Sequence, residues 1–291
     1  TIVRRANLLP QDTTIATVLS AAGYRTCLVN KWHLDGYDKG ASPNHRGFDE
    51  FYGWTISTVH SNSPYYYPYY RFHGDSLIHI PENANGKHGI HNNDLSTNDA
   101  IAFIKRNKDN PFFLYLAFDA PHEPYNIDQT AWYEGQETWE PNTKRYASLI
   151  THMDAQVGRI IEALKRNGLD KNTLIVFASD NGLSVGHHGL IGKQSMYDHS
   201  AKVPLAFCGL GLPTGEVRNQ LIYLQDLVPT VYDLVGIKKP NHLEFISQIN
   251  ALKSSKASSH RKAIYSAYLQ EAQRMVTDGH YKLFFIPASK D

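Results

Sequence analysis

The chain is short of the features that mark several classes of protein. Its 291 residues include two cysteines, Cys27 and Cys208. That number excludes a disulfide framework, and neither sits in a C-x-x-C or Cys/His spacing that would hold zinc. Each lies in an apolar run and reads as a small core residue. No run of about eighteen apolar residues occurs, so no segment reads as a membrane-spanning helix. The opening TIVRRANLLP has no starting methionine and no apolar core of a secretory signal, which suggests a fragment or a processed product. An excess of one charge is missing too. With 29 basic against 28 acidic residues and a net charge of +1, nothing calls for nucleic acid or an anionic membrane as partner. What is present, 42% hydrophobic and 20% charged residues, suits one large folded domain or one domain with a smaller companion.

Periodicity predicts three helix-strand units, each ending in polar residues. In the first, Asp12 or Thr13 caps a helix with Ile15, Val18, Leu19 and Ala22 as its stripe, and Gly23 closes it. A strand over Tyr24 to Val29 follows, then Lys31, Trp32 and His33. In the second, Ser96 or Thr97 caps a helix carrying Ile101 and Ile104, and KDNP turns into the apolar strand Phe112 to Phe118. Asp119, Pro121, His122 and Pro124 come next. In the third, a long stripe from Tyr146 to Leu164 ends at Gly168, and the strand TLIVFAS runs into Asp180 and Asn181. Near-continuous apolar strands alternating with helices predict an α/β fold with a mostly parallel central sheet flanked by helices. Ligands in such sheets bind beyond the carboxyl ends of the strands, where these polar residues fall. Residues 1–250 are expected to form this domain. Residues 251–291, with strands AIYSAYL and RMVTDGHYKLFFI, are expected to form part of a small antiparallel α+β subdomain.

Asp180 and Asn181 offer two hard oxygen donors suited to Ca²⁺ or Mg²⁺, although Asp-Asn-Gly taken alone reads more readily as a turn. Lys31, His33, His122 and Lys193 add cationic and hydrogen-bonding groups that suit a tetrahedral oxyanion. Singly each has a plainer explanation. Either lysine can be a solvated charge, His33 can pack beside Trp32, and His122 can rigidify a turn between prolines. Their coincidence at strand ends favours one site. His187 and His188 are weaker candidates, and His152 and Asp154 read as structural or exposed. The aromatic stretch 51–72 is expected to pack a long loop onto the sheet, with stacking on a sugar as the alternative.

Gly23-Tyr-Arg-Thr, Lys31-Trp-His33-Leu, Gly47-Phe-Asp-Glu-Phe-Tyr-Gly53, Ala120-Pro-His122-Glu-Pro124, Ser179-Asp-Asn-Gly182 and Gly192-Lys193-Gln occur in the order found in type I sulfatases. The chain thus resembles the formylglycine-dependent enzymes of the alkaline phosphatase superfamily over most of its length. The resemblance implies an alkaline phosphatase-like fold and hydrolysis of a sulfate monoester, by preference on a carbohydrate. It implies Ca²⁺, or Mg²⁺ in its place, on Asp180 and Asn181. Lys31 and His33 would contact the sulfate and the nucleophile, His122 would bind sulfate and protonate the leaving alcohol, and Lys193 would hold the sulfate and the leaving oxygen. A secreted or periplasmic location is implied as well.

The chain departs from the family pattern in places. Asn30 stands where a glycine precedes the lysine, and Asp35-Gly36 follows Leu34 where a glycine is usual. More seriously, neither cysteine and no serine lies in C/S-x-P-x-R, the source of formylglycine, and the family's N-terminal acidic pair is missing. The isolated chain is therefore expected to be inactive and its parent to be a sulfatase. The alternatives are a catalytically dead module that binds anions, and a phosphatase or phosphodiesterase of the same superfamily. The latter commonly uses two zinc ions and Asp-His-Gly where this chain has Asp180-Asn-Gly182.

Overall fold

A computed structural model describes residues 8–34, 41–55, 65–268 and 273–285. The chain divides into two compact units, Val3–Asp170 and Lys171–Asp291, so the division falls inside the segment 1–250 expected as one domain.

The first unit is built on a five-stranded sheet of order β4-β3-β2-β1-β5. Its strands are β1 (Arg25–Trp32), β2 (Glu50–Thr55), β3 (Tyr70–His73), β4 (Ser76–His79) and β5 (Phe112–Ala117). β1 runs parallel to both β2 and β5, whereas β3 and β4 extend the sheet antiparallel beyond β2. The helices are α1 (Ile15–Ala21), α2 (Asn92–Arg106) and α3 (Pro141–Arg166). β1 shows why its middle, Cys27 to Val29, is continuously apolar. Leu28 and Trp32 pack with Ala16 of α1, Phe48 and Phe51, while Cys27 and Val29 pack with Ala100 and Phe103 of α2. Both faces are covered, so alternation disappears and every position from Thr26 to Asn30 is buried.

Three boundaries differ from expectation, each for a local reason. β1 continues through Lys31 and Trp32, because its parallel pairing carries on to Trp54 and Thr55. α2 starts before Ser96 and Thr97: His91 is the cap, its Nδ1 accepting the Asn93 N–H at 3.1 Å. Thr97 instead lies inside the helix and returns its hydroxyl to the Asn93 carbonyl at 2.7 Å. In α1 the cap is Thr14, whose Oγ1 accepts from the Thr17 N–H.

In the second unit β6 (Ile175–Ala178) pairs antiparallel with β9 (Leu205–Cys208). The short strands β7 (Ser184–Val185) and β8 (Ile191–Gly192) form a hairpin. Short helices follow: α4 (Asp198–Ala201), α5 (Leu227–Leu234) and α6 (Ile249–Lys253). The expected antiparallel C-terminal sheet is present as β10 (Ile264–Tyr268), β11 (Gln273–Thr277) and β12 (Lys282–Phe285), turning at Asp278-Gly279. Arg261 anchors this region through two bonds to the buried Asp226 carboxylate, at 2.5 and 2.7 Å.

Candidate functional site

The carboxyl ends of β1, β2 and β5 carry a polar network centred on Asp119, two residues past β5. Asp119 is almost fully buried, and its Oδ2 accepts three N–H donors. They are Asn30 Nδ2 at 2.9 Å, Trp54 Nε1 at 3.0 Å and Asn92 Nδ2 at 2.7 Å. The Tyr65 hydroxyl donates to Oδ1 at 3.3 Å. Burial raises the Asp119 carboxyl above the ordinary carboxylate value, while the Trp54 and Asn30 donors and the charge of Lys31 pull it back. Four donors on one buried carboxylate give the edge a fixed geometry, since leaving any of these groups unpaired inside the protein is costly.

Asn30 explains its own departure from the family pattern. It sits in the strand with φ of 84°, a conformation that glycine takes freely and asparagine tolerates better than most residues. Its side chain also donates to the Ala117 carbonyl at 3.0 Å and accepts from Asn92 at 2.9 Å, work that no glycine could do. Opposite it in register stands Gly53, where an added Cβ would lie 2.0 Å from the Asn30 carbonyl oxygen. The strands are pressed together at this point, which accounts for the glycine.

Two of the residues expected to hold an oxyanion, Lys31 and His122, lie next to this hub. Lys31 is half-buried on β1, with its Nζ 5.6 Å from the centre of the Trp54 ring. His33 follows the strand and is exposed. His122 lies on the loop after Asp119, whose carbonyl accepts the His122 N–H at 2.8 Å. Its ring is 6.3 Å from Tyr65, and its own carbonyl accepts the Tyr66 hydroxyl at 2.8 Å. The Nδ1 of His122 is 2.6 Å from the Glu123 carbonyl. A carbonyl can only accept, so the neutral ring carries its proton on Nδ1 and presents Nε2 as the basic nitrogen.

Asp180, Asn181 and Lys193 belong to the second unit. Asp180 follows β6 and is exposed; its Oδ1 accepts the Asn181 N–H at 2.9 Å. Asn181 donates its amide nitrogen to the Gly182 carbonyl at 2.8 Å, which leaves the amide oxygen as the end turned away from that bond. Gly182 is forced by its surroundings, because a Cβ there would stand 2.0 Å from the His199 carbonyl oxygen. The donor set, a carboxylate and an amide oxygen, fits a hard cation such as Ca²⁺ and supplies no nitrogen or sulfur for zinc. Lys193 is half-buried directly after β8. His187 and His188 are exposed, with His188 stacked 4.5 Å from Tyr197.

Asn92, Trp54 and Tyr65 were not foreseen as parts of the site. The one signal that points to them is an asparagine, Asn30, interrupting an apolar strand that must find partners for its amide. Asp35 and Gly36 and residues 56–64 of the aromatic stretch lie outside the described residues. Of that stretch, Tyr65 meets Trp54 of β2 as expected, whereas Tyr66 and Tyr67 are buried with Ala120, Ile127 and Leu149 of α3 rather than on the sheet.

The sulfatase family model matches residues 4–237. The N-acetylgalactosamine-6-sulfatase of Mus musculus is 31% identical over 259 residues, covering 81% of this chain and 46% of the mouse protein. The extracellular sulfatase SULF-1 homolog of Drosophila melanogaster is 30% identical over 267 residues, covering 79% of this chain and 23% of its own length. Among solved structures, that of Ps i-CgsB superposes with a TM-score of 0.81 at 25% identity, covering 96% of this chain and 66% of the other. The chain thus spans half or less of the length of these curated relatives.

Proposed function

Because the chain belongs to the sulfatase family, we propose that the protein it forms part of is a sulfuric ester hydrolase, cleaving sulfate monoesters of a carbohydrate. The observation that carries this is the edge organised by Asp119, where Lys31 and His122 are held beside groups of fixed orientation. In this reading Lys31 and His33 bind the sulfate. His122 binds it as well and, when protonated on Nε2, delivers that proton to the leaving alcohol oxygen. Lys193 neutralises charge on the sulfate and on the same oxygen. Breaking the S–O bond builds negative charge on the leaving atom, and preoriented cations and donors lower that barrier more than flexible ones.

Asp180 and Asn181 would hold a Ca²⁺ ion, with Mg²⁺ as the substitute, and a bound hard cation supplies charge neutralisation for the sulfate oxygens. The nucleophile in this reading is a formylglycine, for which this chain has no C/S-x-P-x-R, so the chain alone is inactive. The mouse relative is named for a sulfated sugar, which supports a carbohydrate ester as substrate. A secreted or periplasmic location fits the fly relative's description as extracellular. No helix among the described residues is long and apolar enough to cross a membrane.

Assaying the intact parent on matched sulfate and phosphate monoesters, with and without Ca²⁺, tests the proposal. Calcium-dependent sulfate release is expected. Turnover of the phosphate ester alone would assign a phosphatase instead, and binding of both esters without turnover would mark a dead anion-binding module.

A further inference from the structure

A second cluster of metal-ligating side chains lies in the first unit, on elements other than those of Asp180 and Asn181. His91 caps α2, Asp94 lies in its first turn, and His152 projects from the middle of α3. One ligand atom from each comes within 4.8 Å of the other two. His152 Nε2 is 3.1 Å from Asp94 Oδ2, and the His91 and His152 rings are 4.6 Å apart. His91 is only 6% exposed. Its Nδ1 is occupied by the Asn93 N–H, and its Nε2 is buried and makes no hydrogen bond of normal geometry, although the Asn126 backbone lies within reach of the ring. A second buried orphan lies alongside: the Asn93 Oδ1 has no partner, while the same amide's Nδ2 is 3.5 Å from His152 Nδ1.

We infer that His91, Asp94 and His152 bind a divalent transition metal of the zinc class. Two imidazoles and one carboxylate are the donor set that such ions take in three-ligand sites, and it is unlike the all-oxygen set at Asp180 and Asn181. The metal gives the orphaned nitrogen of His91 a partner. It also moves the His152 ring proton from Nε2 to Nδ1, and turning the Asn93 amide over brings its orphaned oxygen to accept that proton. This is the outer contact that a metal-bound imidazole normally makes. On His91 the ring proton likewise moves to Nδ1, releasing the Asn93 N–H. The cluster opens on a cavity of ≈ 440 Å³, lined also by His88, Asp128, Gln129 and Arg159, that gives an ion a route in and room for water as a fourth ligand. Arg159 reaches Asp94 through the other oxygen, Oδ1, at 3.3 Å, so Oδ2 stays on the histidine side. The ion would pin the start of α2 to the middle of α3.

The test is titration of the full chain with Zn²⁺ by calorimetry and with Co²⁺ by visible absorption. A His187→Ala/His188→Ala background removes the exposed ring pair of the other unit. One equivalent of zinc and a cobalt d–d band are expected. His152→Gln and Asp94→Asn should each weaken binding by roughly tenfold or more, and Asp180→Asn should leave it unchanged. Because His91 also caps α2, the judgement rests on the other two variants, each checked for native far-UV circular dichroism. Zinc affinity unaltered in both, no zinc binding at all, or loss of zinc with Asp180→Asn would overturn the assignment.

Discussion

Asn30 donates its amide to Asp119 across the end of the sheet, at 2.9 Å, from a strand position with φ of 84°. Local conformation and long-range hydrogen bonding therefore meet in one residue, and substitutions can separate them. Asn30→Ala loses both and should cost about 2–4 kcal/mol, combining an unmatched buried polar group with a left-handed residue. Asn30→Gly keeps the backbone relaxed and should cost less, about 1–2 kcal/mol. Urea unfolding of the two variants checks the order; equal losses would mean that the backbone conformation carries no strain.

Gly53→Ala should be more damaging than its single methyl suggests. The added atom meets the Asn30 carbonyl at 2.0 Å, and both partners are strand backbone that cannot swing aside. A loss of about 3 kcal/mol, at the upper end for overpacking, is expected in the same unfolding measurement.

The Asp119 carboxyl makes stability depend on pH with a definite sign. Burial raises it above the ordinary 3.8, so the folded protein holds this proton more tightly than the unfolded chain. The stability it contributes is complete below 3.8 and is lost as pH rises through the raised value. Asp119→Asn cannot titrate and keeps an acceptor for the three N–H donors. Urea midpoints against pH should fall less steeply for the variant than for the wild type, and parallel curves would count against the assignment.

His122→Ala and Lys193→Ala should each lower turnover of the intact parent by about two to three decades, roughly 3–4 kcal/mol in the barrier. Sulfate esters with better leaving groups should suffer less from His122→Ala, because they need less help from a proton donor. A uniform effect across leaving groups would place His122 in sulfate binding alone.

The two thiols should label at very different rates. Cys27 is fully buried and burial pushes its thiol far up, whereas Cys208, which the sequence suggested as a core residue, is exposed. A thiol-reactive dye should modify Cys208 in the folded chain and Cys27 only on unfolding.

The helices and strands were legible wherever one periodicity dominated, as in α3 and β5. The first turn of α2 was hidden because His91, Asn92 and Asn93 are polar residues that turn out to be buried, and a histidine cap is an uncommon choice. The residues proposed for the site stood out by residue type, and two of them, His122 and Lys31, are neighbours of Asp119 and Trp54. The hub itself was not legible: Asn30 looked like a deviation and Trp54 like packing. Their roles depend on which strands neighbour one another, and that order, β2-β1-β5, is not written in local sequence.

The hub at Asp119 also bears on how the chain folds. Its N–H donors lie 89, 65 and 27 residues earlier in sequence. Each bond closes a long loop, and such contacts are entropically slow to form compared with helical turns or adjacent hairpins. None of the three gains its full strength until the others have excluded water from the carboxylate. The edge that carries Lys31 and His122 should therefore assemble late and as a unit, so a partly folded chain can possess most of its helices and strands while lacking the geometry that the proposed chemistry requires.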